Sequence, residues 1–146
     1  MNVRRAHAGF TLIELLIVIG ILGVLSGVVI VSINPNKQLA EARNAKRESD
    51  LRVIVDAVYQ YSVDHNGNFP PTVPLTPTAI CRSGVNIDCS GLVNLNILTG
   101  SYIAQLPYDP QSATATTTFY TIVRIGNRVT VDAPGAEQGE YLSVTR

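Results

Sequence analysis

The sequence predicts an α+β protein, in which a small C-terminal antiparallel β-sheet packs on the second half of a long N-terminal helix. Residues 15–33 form an uncharged apolar run, and residues 37–65 repeat apolar side chains at spacings of three and four, as a helix does. Residues 117–131 alternate instead around Gly126-Asn127, a two-residue hairpin signal. The length of 146 residues fits one domain with an appended segment and argues against a multidomain enzyme.

The charge composition argues against nucleic acid as a partner. Eleven Lys and Arg residues balance eleven Asp and Glu residues, so the chain has no long-range positive field to hold a polyanion. Charged residues make up 15% of the chain, against about 25% in typical soluble domains. The deficit is concentrated near the N-terminus, which points to a membrane segment.

The uncharged run at residues 15–33 is long enough to cross a membrane. As a helix it extends about 28 Å, close to the thickness of a bilayer core. A secretory signal peptide has a shorter apolar region of roughly 7 to 15 residues and a small-residue cleavage site, whereas this run ends at Ile33-Asn34-Pro35. The Arg4-Arg5 pair is, on its own, weak support for a twin-arginine signal. The run is therefore predicted to be a membrane anchor.

A single carboxylate, Glu14, lies at the start of this anchor. An ionised carboxylate costs about 2.5 to 3.5 kcal/mol at the centre of a membrane helix and less near its end, so a plain anchor is not expected to carry one. Glu14 is therefore predicted to have a partner. The alternative is a solvated carboxylate at the helix start, level with the lipid headgroups.

The residues around Glu14 resemble the class III signal of type IV pilins and pseudopilins. Four features coincide: a short basic leader, Gly9 followed by Phe10, Glu14 four residues after that Phe, and an unbroken apolar run. The resemblance implies cleavage between Gly9 and Phe10 by a membrane prepilin peptidase/methyltransferase, with N-methylation of Phe10. It also implies assembly of the remaining 137 residues into a homo-oligomeric helical filament.

The resemblance assigns Glu14 a role in assembly. Cleavage creates an α-amine at Phe10, whose ordinary pKa is about 7.7 to 8.0. In the filament, the amine of a neighbouring subunit would neutralise Glu14. Two charges paired at low dielectric would then select one axial register.

The stem beyond the anchor is predicted to break near Pro35 and to continue as a helix to about His65. Its first half carries i,i+4 charge pairs and is predicted to be solvated or to face neighbouring subunits. On this interpretation Arg47 and Glu48 face neighbours, and the small residues within 40–45 suit close packing of parallel stems. The apolar second half is predicted to carry the small domain.

Cys81 and Cys89 lie in the loop-rich region after the helix. In a domain exported from the cytoplasm, two cysteines eight positions apart indicate a disulfide, worth about 2.6 kcal/mol from loop closure. A buried reduced pair is the alternative. Metal binding is disfavoured because no histidine lies nearby in the sequence.

Two C-terminal segments look like those of the major pseudopilins of type II secretion systems. They are residues 66–70 after the helix and residues 102–110, which have the form Y-I-x-x-L-P-x-D-P. The chain departs from that family in two ways: no Trp follows Pro110, and residues 113–118 replace the usual Gly-containing turn.

The same resemblance raises a calcium site in the C-terminal loop, where Asp132, Glu137 and Glu140 cluster. Their spacing matches no EF-hand, and turn carboxylates are usually solvated. The residues themselves therefore predict neither a metal site nor a cofactor.

No catalytic residues are predicted, and the chain is not expected to be an enzyme. The sequence has no Gly-rich phosphate loop, no H-E-x-x-H and no G-x-S-x-G motif. His65 is the one histidine beyond the leader, and its place at a helix C-terminus is explained by the helix dipole.

These observations predict a structural subunit, a pilin or a pseudopilin, of a type IV pilus-like or type II secretion-like filament. Residues 1–9 would be the removed leader, 10–33 the membrane and filament-core helix, 34–65 the amphipathic stem and 66–146 the globular region. Basic residues flank the span on both sides, so the positive-inside rule does not orient it. The resemblance and the cysteines place the C-terminal region outside the cytoplasm, held by one span in the inner membrane before assembly.

The resemblance further implies an inner-membrane assembly platform with its ATPase as partners, and a filament in the periplasm or on the cell surface. Whether this is a surface pilus, a secretion pseudopilus or a DNA-uptake fibre stays open. The alternative function is a membrane-anchored extracytoplasmic ligand-binding module that does not polymerise.

Overall fold

The computed structural model describes residues 9–82 and 88–146, so residues 1–8 of the predicted leader lie outside the described residues. Within them, two helices, α1 (Leu12–Ile33) and α2 (Pro35–Asp64), precede a β region. Its strands are β1 (Thr78–Cys81), β2 (Thr117–Ile125), β3 (Arg128–Ala133) and β4 (Leu142–Thr145), with a short 3-10 helix at Asn96–Leu98. The predicted α+β class is confirmed.

The chain divides into two compact units, Met1–Gln38 and Leu39–Arg146. In the first, α1 follows the N-cap residue Thr11 and ends at Ile33, because the next residue, Asn34, has a left-handed backbone (φ 48°). α2 begins at Pro35, and proline is favoured at a first helical position because its fixed φ suits the helix. The predicted break near Pro35 is confirmed. One helix among the described residues is long and apolar enough to cross a membrane, over Leu12–Ile30.

In the second unit, the apolar half of α2 forms one hydrophobic core with the sheet. Leu51, Ile54 and Val58 are fully buried in the same cluster as Ile122 and Val131 from the strands. Burying a side chain of this size contributes about 1.5 to 3 kcal/mol. The globular region is therefore attached to this face of α2 by hydrophobic packing.

The charged half of α2 also turns a face inward, so the prediction that Arg47 faces neighbouring subunits is wrong. Arg47 is fully buried, and Asn44 is 4% exposed. The spacing from Ala40 through Asn44 and Arg47 to Leu51 is four, three and four residues, which places them on the same side of the helix. Glu48 lies off this face and is exposed.

The sheet has the order β1-β2-β3-β4, with every neighbouring pair antiparallel. β2 and β3 form the predicted hairpin, in which Ile125 pairs with Arg128 across Gly126-Asn127. Gly126 has φ 62°, a left-handed conformation that glycine adopts without steric cost. The short strand β1 is an addition to the predicted elements, and it brings Cys81 to the edge of the sheet.

Candidate functional site

The predicted cleavage and methylation positions, Gly9 and Phe10, lie in non-helical backbone just before α1. Phe10 is 86% exposed. Among the described residues, a Cβ placed on Gly9 would have no neighbouring atom within 4 Å, so packing against them does not require a glycine there. A substitution at Gly9 therefore meets no steric obstacle among the described residues.

Glu14 closes a capping box at the start of α1. Thr11 donates from its backbone N and from Oγ1 to Glu14 Oε2, at 3.0 and 2.9 Å, and the Glu14 backbone N donates to Thr11 Oγ1 at 3.2 Å. This arrangement satisfies backbone donors that a helix start leaves unpaired. It is the geometry that the helix-start interpretation of Glu14 predicts for a single chain.

The capping box also leaves room for the other interpretation. Among the described residues, the donors to the Glu14 side chain both end on Oε2. A carboxylate has about four acceptor positions, so Oε1 keeps capacity for a further donor such as an α-amine. Capping and pairing with a neighbour are therefore compatible roles.

A second candidate site, which the sequence did not predict, joins α2 to the C-terminal loop, residues 134–141 between β3 and β4. This ion cluster consists of Arg43, Asn44, Arg47, Asp109 and Glu137. At its centre Arg47 donates from Nε to Asp109 Oδ2 at 2.7 Å and from Nη2 to Oδ1 at 3.3 Å. Both side chains are completely buried, so each charge depends on the other for compensation.

Glu137 is held by both arginines. Arg43 donates from Nε to Oε2 at 2.6 Å and from Nη2 to Oε1 at 2.7 Å, the bidentate geometry that suits a guanidinium and a carboxylate. Arg47 adds a bond from Nη1 to Oε2 at 2.9 Å. Three N–H groups of two arginines thus converge on one carboxylate of the C-terminal loop.

Asn44 attaches the backbone of the same loop to α2. Its Nδ2 donates to the Glu137 carbonyl at 3.0 Å, and its Oδ1 accepts from the Glu137 backbone N at 3.0 Å. Nδ2 also donates to Glu140 Oε2 at 2.9 Å. The loop is therefore bound to the helix through main chain and side chain together.

The ion cluster keeps its acids ionised. Hydrogen bonds from Arg43, and then from Arg47, lower the pKa of Glu137 to about 2. Burial by itself would raise the pKa of Asp109, but hydrogen bonds from Arg47 and from two backbone N–H groups outweigh it and lower that pKa. The carboxylates in turn raise the pKa of both guanidiniums. The cluster therefore holds charge in place and offers no group poised to exchange a proton near neutral pH.

A periodic signal in the sequence points to this cluster. The buried stripe of Tyr61, Val58, Ile54 and Leu51 continues toward the N-terminus of α2 with the same spacing and reaches Arg47. Periodicity does not identify the partners of Arg47, because Asp109 and Glu137 lie 62 and 90 residues further along the chain.

The residues of the C-terminal loop do not fit a calcium ion. Calcium takes six to eight oxygen ligands, usually including several carboxylates. Here Glu137 accepts from two arginines and Glu140 from Asn44. Asp132 belongs to β3 and not to the loop as the sequence suggested, and its Oδ1 accepts from the Tyr141 hydroxyl at 3.1 Å. Across the described residues, no group of three or more His, Cys, Asp or Glu side chains is placed to hold a metal.

The two cysteines both lie within the second unit. Cys81 and Cys89 are disulfide-bonded, with a Cα–Cα distance of 5.5 Å. Cys81 is buried at the end of β1. The bond ties the segment after β1 back to the sheet.

Comparisons with known proteins agree with the N-terminal pattern and extend it. Residues 4–30 match the family model described as the prokaryotic N-terminal methylation motif. The chain is 33% identical over 107 residues to type II secretion system core protein G of Aeromonas hydrophila, covering 73% of this chain and 69% of the relative. With the protein of the same name from Pseudomonas aeruginosa it is 36% identical over 107 residues, covering 73% and 70%.

The similarity extends beyond the N-terminal signal. The Vibrio cholerae protein of the same name is 29% identical over 145 residues, which covers 96% of this chain and 90% of the relative. No solved structure matches the chain. Relatives above 30% identity are covered over more than two thirds of their length, and this coverage establishes the family. The methylation motif agrees with it, since its residues from Leu12 onward form the membrane-length helix. The chain belongs to the type II secretion system core protein G family and is a pseudopilin.

Proposed function

We propose that this pseudopilin polymerises into the filament of a type II secretion system. The single observation that carries the proposal is the methylation motif at residues 4–30, whose residues from Leu12 onward form the one described helix that is long and apolar enough to span a membrane. The relatives favour a secretion filament over a surface pilus or a DNA-uptake fibre, because their name refers to type II secretion.

Processing would occur between Gly9 and Phe10, by a prepilin peptidase that also methylates Phe10. Intact mass of protein recovered from assembled filaments is expected to match a chain that begins at Phe10 and carries one added methyl group. A Gly9→Val variant is the matched control, because Gly9 has no packing neighbours; it should fold normally yet keep its leader and stay unassembled. Filaments built from chains that retain Met1–Gly9 would contradict the proposal.

Before assembly, α1 would anchor the protein by one span in the inner membrane, with residues 39–146 outside the cytoplasm. The Cys81–Cys89 disulfide supports this orientation, because disulfides persist in oxidising compartments and are rare in the cytosol. An assembly platform and its ATPase would then draw the stem out of the lipid. Residues 10–33 would form the filament core, residues 34–65 the stem around it, and residues 66–146 the outer region in the periplasm or at the cell surface.

Glu14 would pair with the Phe10 amine of a neighbouring subunit, and two substitutions separate this role from capping. Glu14→Gln keeps a residue that completes a capping box but removes the charge, whereas Glu14→Val removes both. If pairing drives assembly, both variants should insert into the membrane and both should assemble poorly alongside wild-type subunits. Normal filament yield from Glu14→Gln would show that Glu14 serves as a cap and not as a charge partner.

The rival function, a membrane-anchored ligand-binding module, predicts a different state of the protein. Its subunits would remain uncleaved monomers in the membrane under conditions that support secretion. Crosslinking in intact cells, followed by mass analysis of the crosslinked species, distinguishes a ladder of cleaved subunits from such monomers.

A further inference from the structure

The C-terminal loop, residues 134–141 between β3 and β4, is attached to the stem helix by charge. Glu137 receives three N–H groups from Arg43 and Arg47, and Glu140 receives one from Asn44. The three donor residues, Arg43, Asn44 and Arg47, lie on α2 within about one turn of helix. The loop is thus bound at one patch of the helix.

We propose that Arg43 and Arg47 are the resident cations of this loop, and that it folds on α2 without calcium or another divalent ion. A bound metal in such a loop would neutralise carboxylates and cross-link them. Here two guanidinium charges neutralise Glu137 and Asp109 and connect them to the helix. The inference concerns how the globular region is stabilised, and it does not depend on the proposed assembly into filaments.

The arrangement of the carboxylates supports an arginine site in preference to a metal site. A dication would have to compete with Arg43 and Arg47 for both oxygens of Glu137, next to two positive charges that repel it. The Arg47 side chain is fully buried and cannot withdraw into solvent. Displacing it would leave Asp109 buried and unpaired, which is strongly unfavourable.

A close approach of the loop backbone to Asp109 provides an independent observation. A Cβ placed on Gly135 would lie 2.8 Å from Asp109 Oδ2 and 3.2 Å from Ser112 Oγ. The loop therefore rests directly on the carboxylate that Arg47 holds. Removing the arginine would leave that carboxylate held only by the backbone N–H groups of Gln111 and Ser112, without a counter-charge, and would weaken the support on which the loop packs.

The test uses the full chain in detergent micelles and follows two quantities with and without calcium. The first is the thermal unfolding midpoint, and the second is the hydrogen exchange of the backbone amides in residues 134–141. Wild-type protein is expected to show the same midpoint and the same loop protection in EDTA and in millimolar calcium chloride. A midpoint or loop protection that rises on adding calcium would overturn the proposal.

Substitution of Arg43 tests directly whether an arginine holds the loop. Arg43 is half-exposed, so the protein should fold without it. Arg43→Gln is expected to lower loop protection about tenfold, the equivalent of ~1.4 kcal/mol, while the strands keep theirs. Arg52→Gln is the matched control, because Arg52 is on the same helix and pairs with Glu48 at the surface. Loop protection in Arg43→Gln equal to that of wild type would also overturn the proposal.

Discussion

Arg47 is a fully buried cation whose partners come from two distant parts of the chain, Asp109 and Glu137. Such a group is not a simple source of stability, because taking two charges out of water offsets much of their attraction. Its effect lies in the cost of breaking it: removing one partner of a buried pair costs about 3 to 5 kcal/mol, since the other charge is left uncompensated. Arg47 therefore enforces one position of the C-terminal loop on α2.

Glu137 makes the stability of the globular region sensitive to acid. Its folded-state pKa is about 2, below the ordinary value of 4.5, so folding favours the ionised form. The stabilisation is fully present above the unfolded-state value and is lost as the pH falls from 4.5 toward about 2. We expect the urea midpoint of wild type to drop across this window.

The matched variant for this pH dependence is Glu137→Gln. It should be less stable than wild type at neutral pH, and its midpoint should fall less steeply in acid. A residual slope is expected, because the pKa of Asp109 is also lowered in the folded state. An acid profile parallel to that of wild type would contradict the assignment of this titration to Glu137.

At the scale of elements, α2 has two distinct faces, one buried against the globular region and one exposed. Its inner face runs from polar residues of the ion cluster to the apolar core at Leu51. Its outer face keeps Leu39, Ala42 and Val53 exposed. In the proposed filament the exposed residues would contact neighbouring stems, while the inner residues pack within the chain's own fold.

Charge reversal should therefore affect different properties at two adjacent positions of α2: stability at Arg47 and assembly at Glu48. Arg47→Glu would place a third acid beside Asp109 and Glu137 and should destabilise the globular region by about 3 to 5 kcal/mol or more. Glu48→Lys should leave stability within about 1 kcal/mol, because its pair with Arg52 is exposed, and should reduce filament yield. Urea unfolding and filament yield measure the two effects. Equal stability losses in both variants would contradict this division of α2.

The disulfide is the covalent constraint on the segment that follows β1. Reduction of Cys81–Cys89 should lower stability by about 2.6 kcal/mol, the loop-closure entropy of a short ring. Peptide mapping of native exported protein without reductant should recover the two cysteines in one linked peptide. Freely alkylatable thiols would refute the pairing and reopen the orientation of the chain in the membrane.

At the scale of the whole molecule, the second unit has what it needs to fold alone. The hydrophobic core cluster lies entirely within Leu39–Arg146, and so does the ion cluster. We expect residues 39–146, expressed in an oxidising compartment, to give a soluble monomer that unfolds cooperatively. Circular dichroism and sedimentation check this. A molten or aggregated product would mean that α1 contributes to the fold.

The sequence by itself determined the elements that depend on neighbouring residues. The span before Ile33, the break at Pro35, the helix after it and the Gly126-Asn127 hairpin each follow from local periodicity or from the restricted backbone of one residue. The N-terminal signal was equally readable, because its four features all lie within residues 1–33. These parts of the fold could be predicted because their causes are adjacent in the chain.

The tertiary structure alone decided which distant residues are in contact and which side chains are buried. Arg47 looked like a surface charge because most arginines are solvated, and its burial depends on acids 62 and 90 residues away. The strand β1 is too short for alternation to show, and it exists because β2 pairs with it. The family resemblance raised a calcium site at the C-terminal acids, and only the tertiary structure shows that Arg43 and Arg47 of α2 bind Glu137. A buried charge is stable only beside its partner, and local sequence patterns do not identify contacts between distant residues.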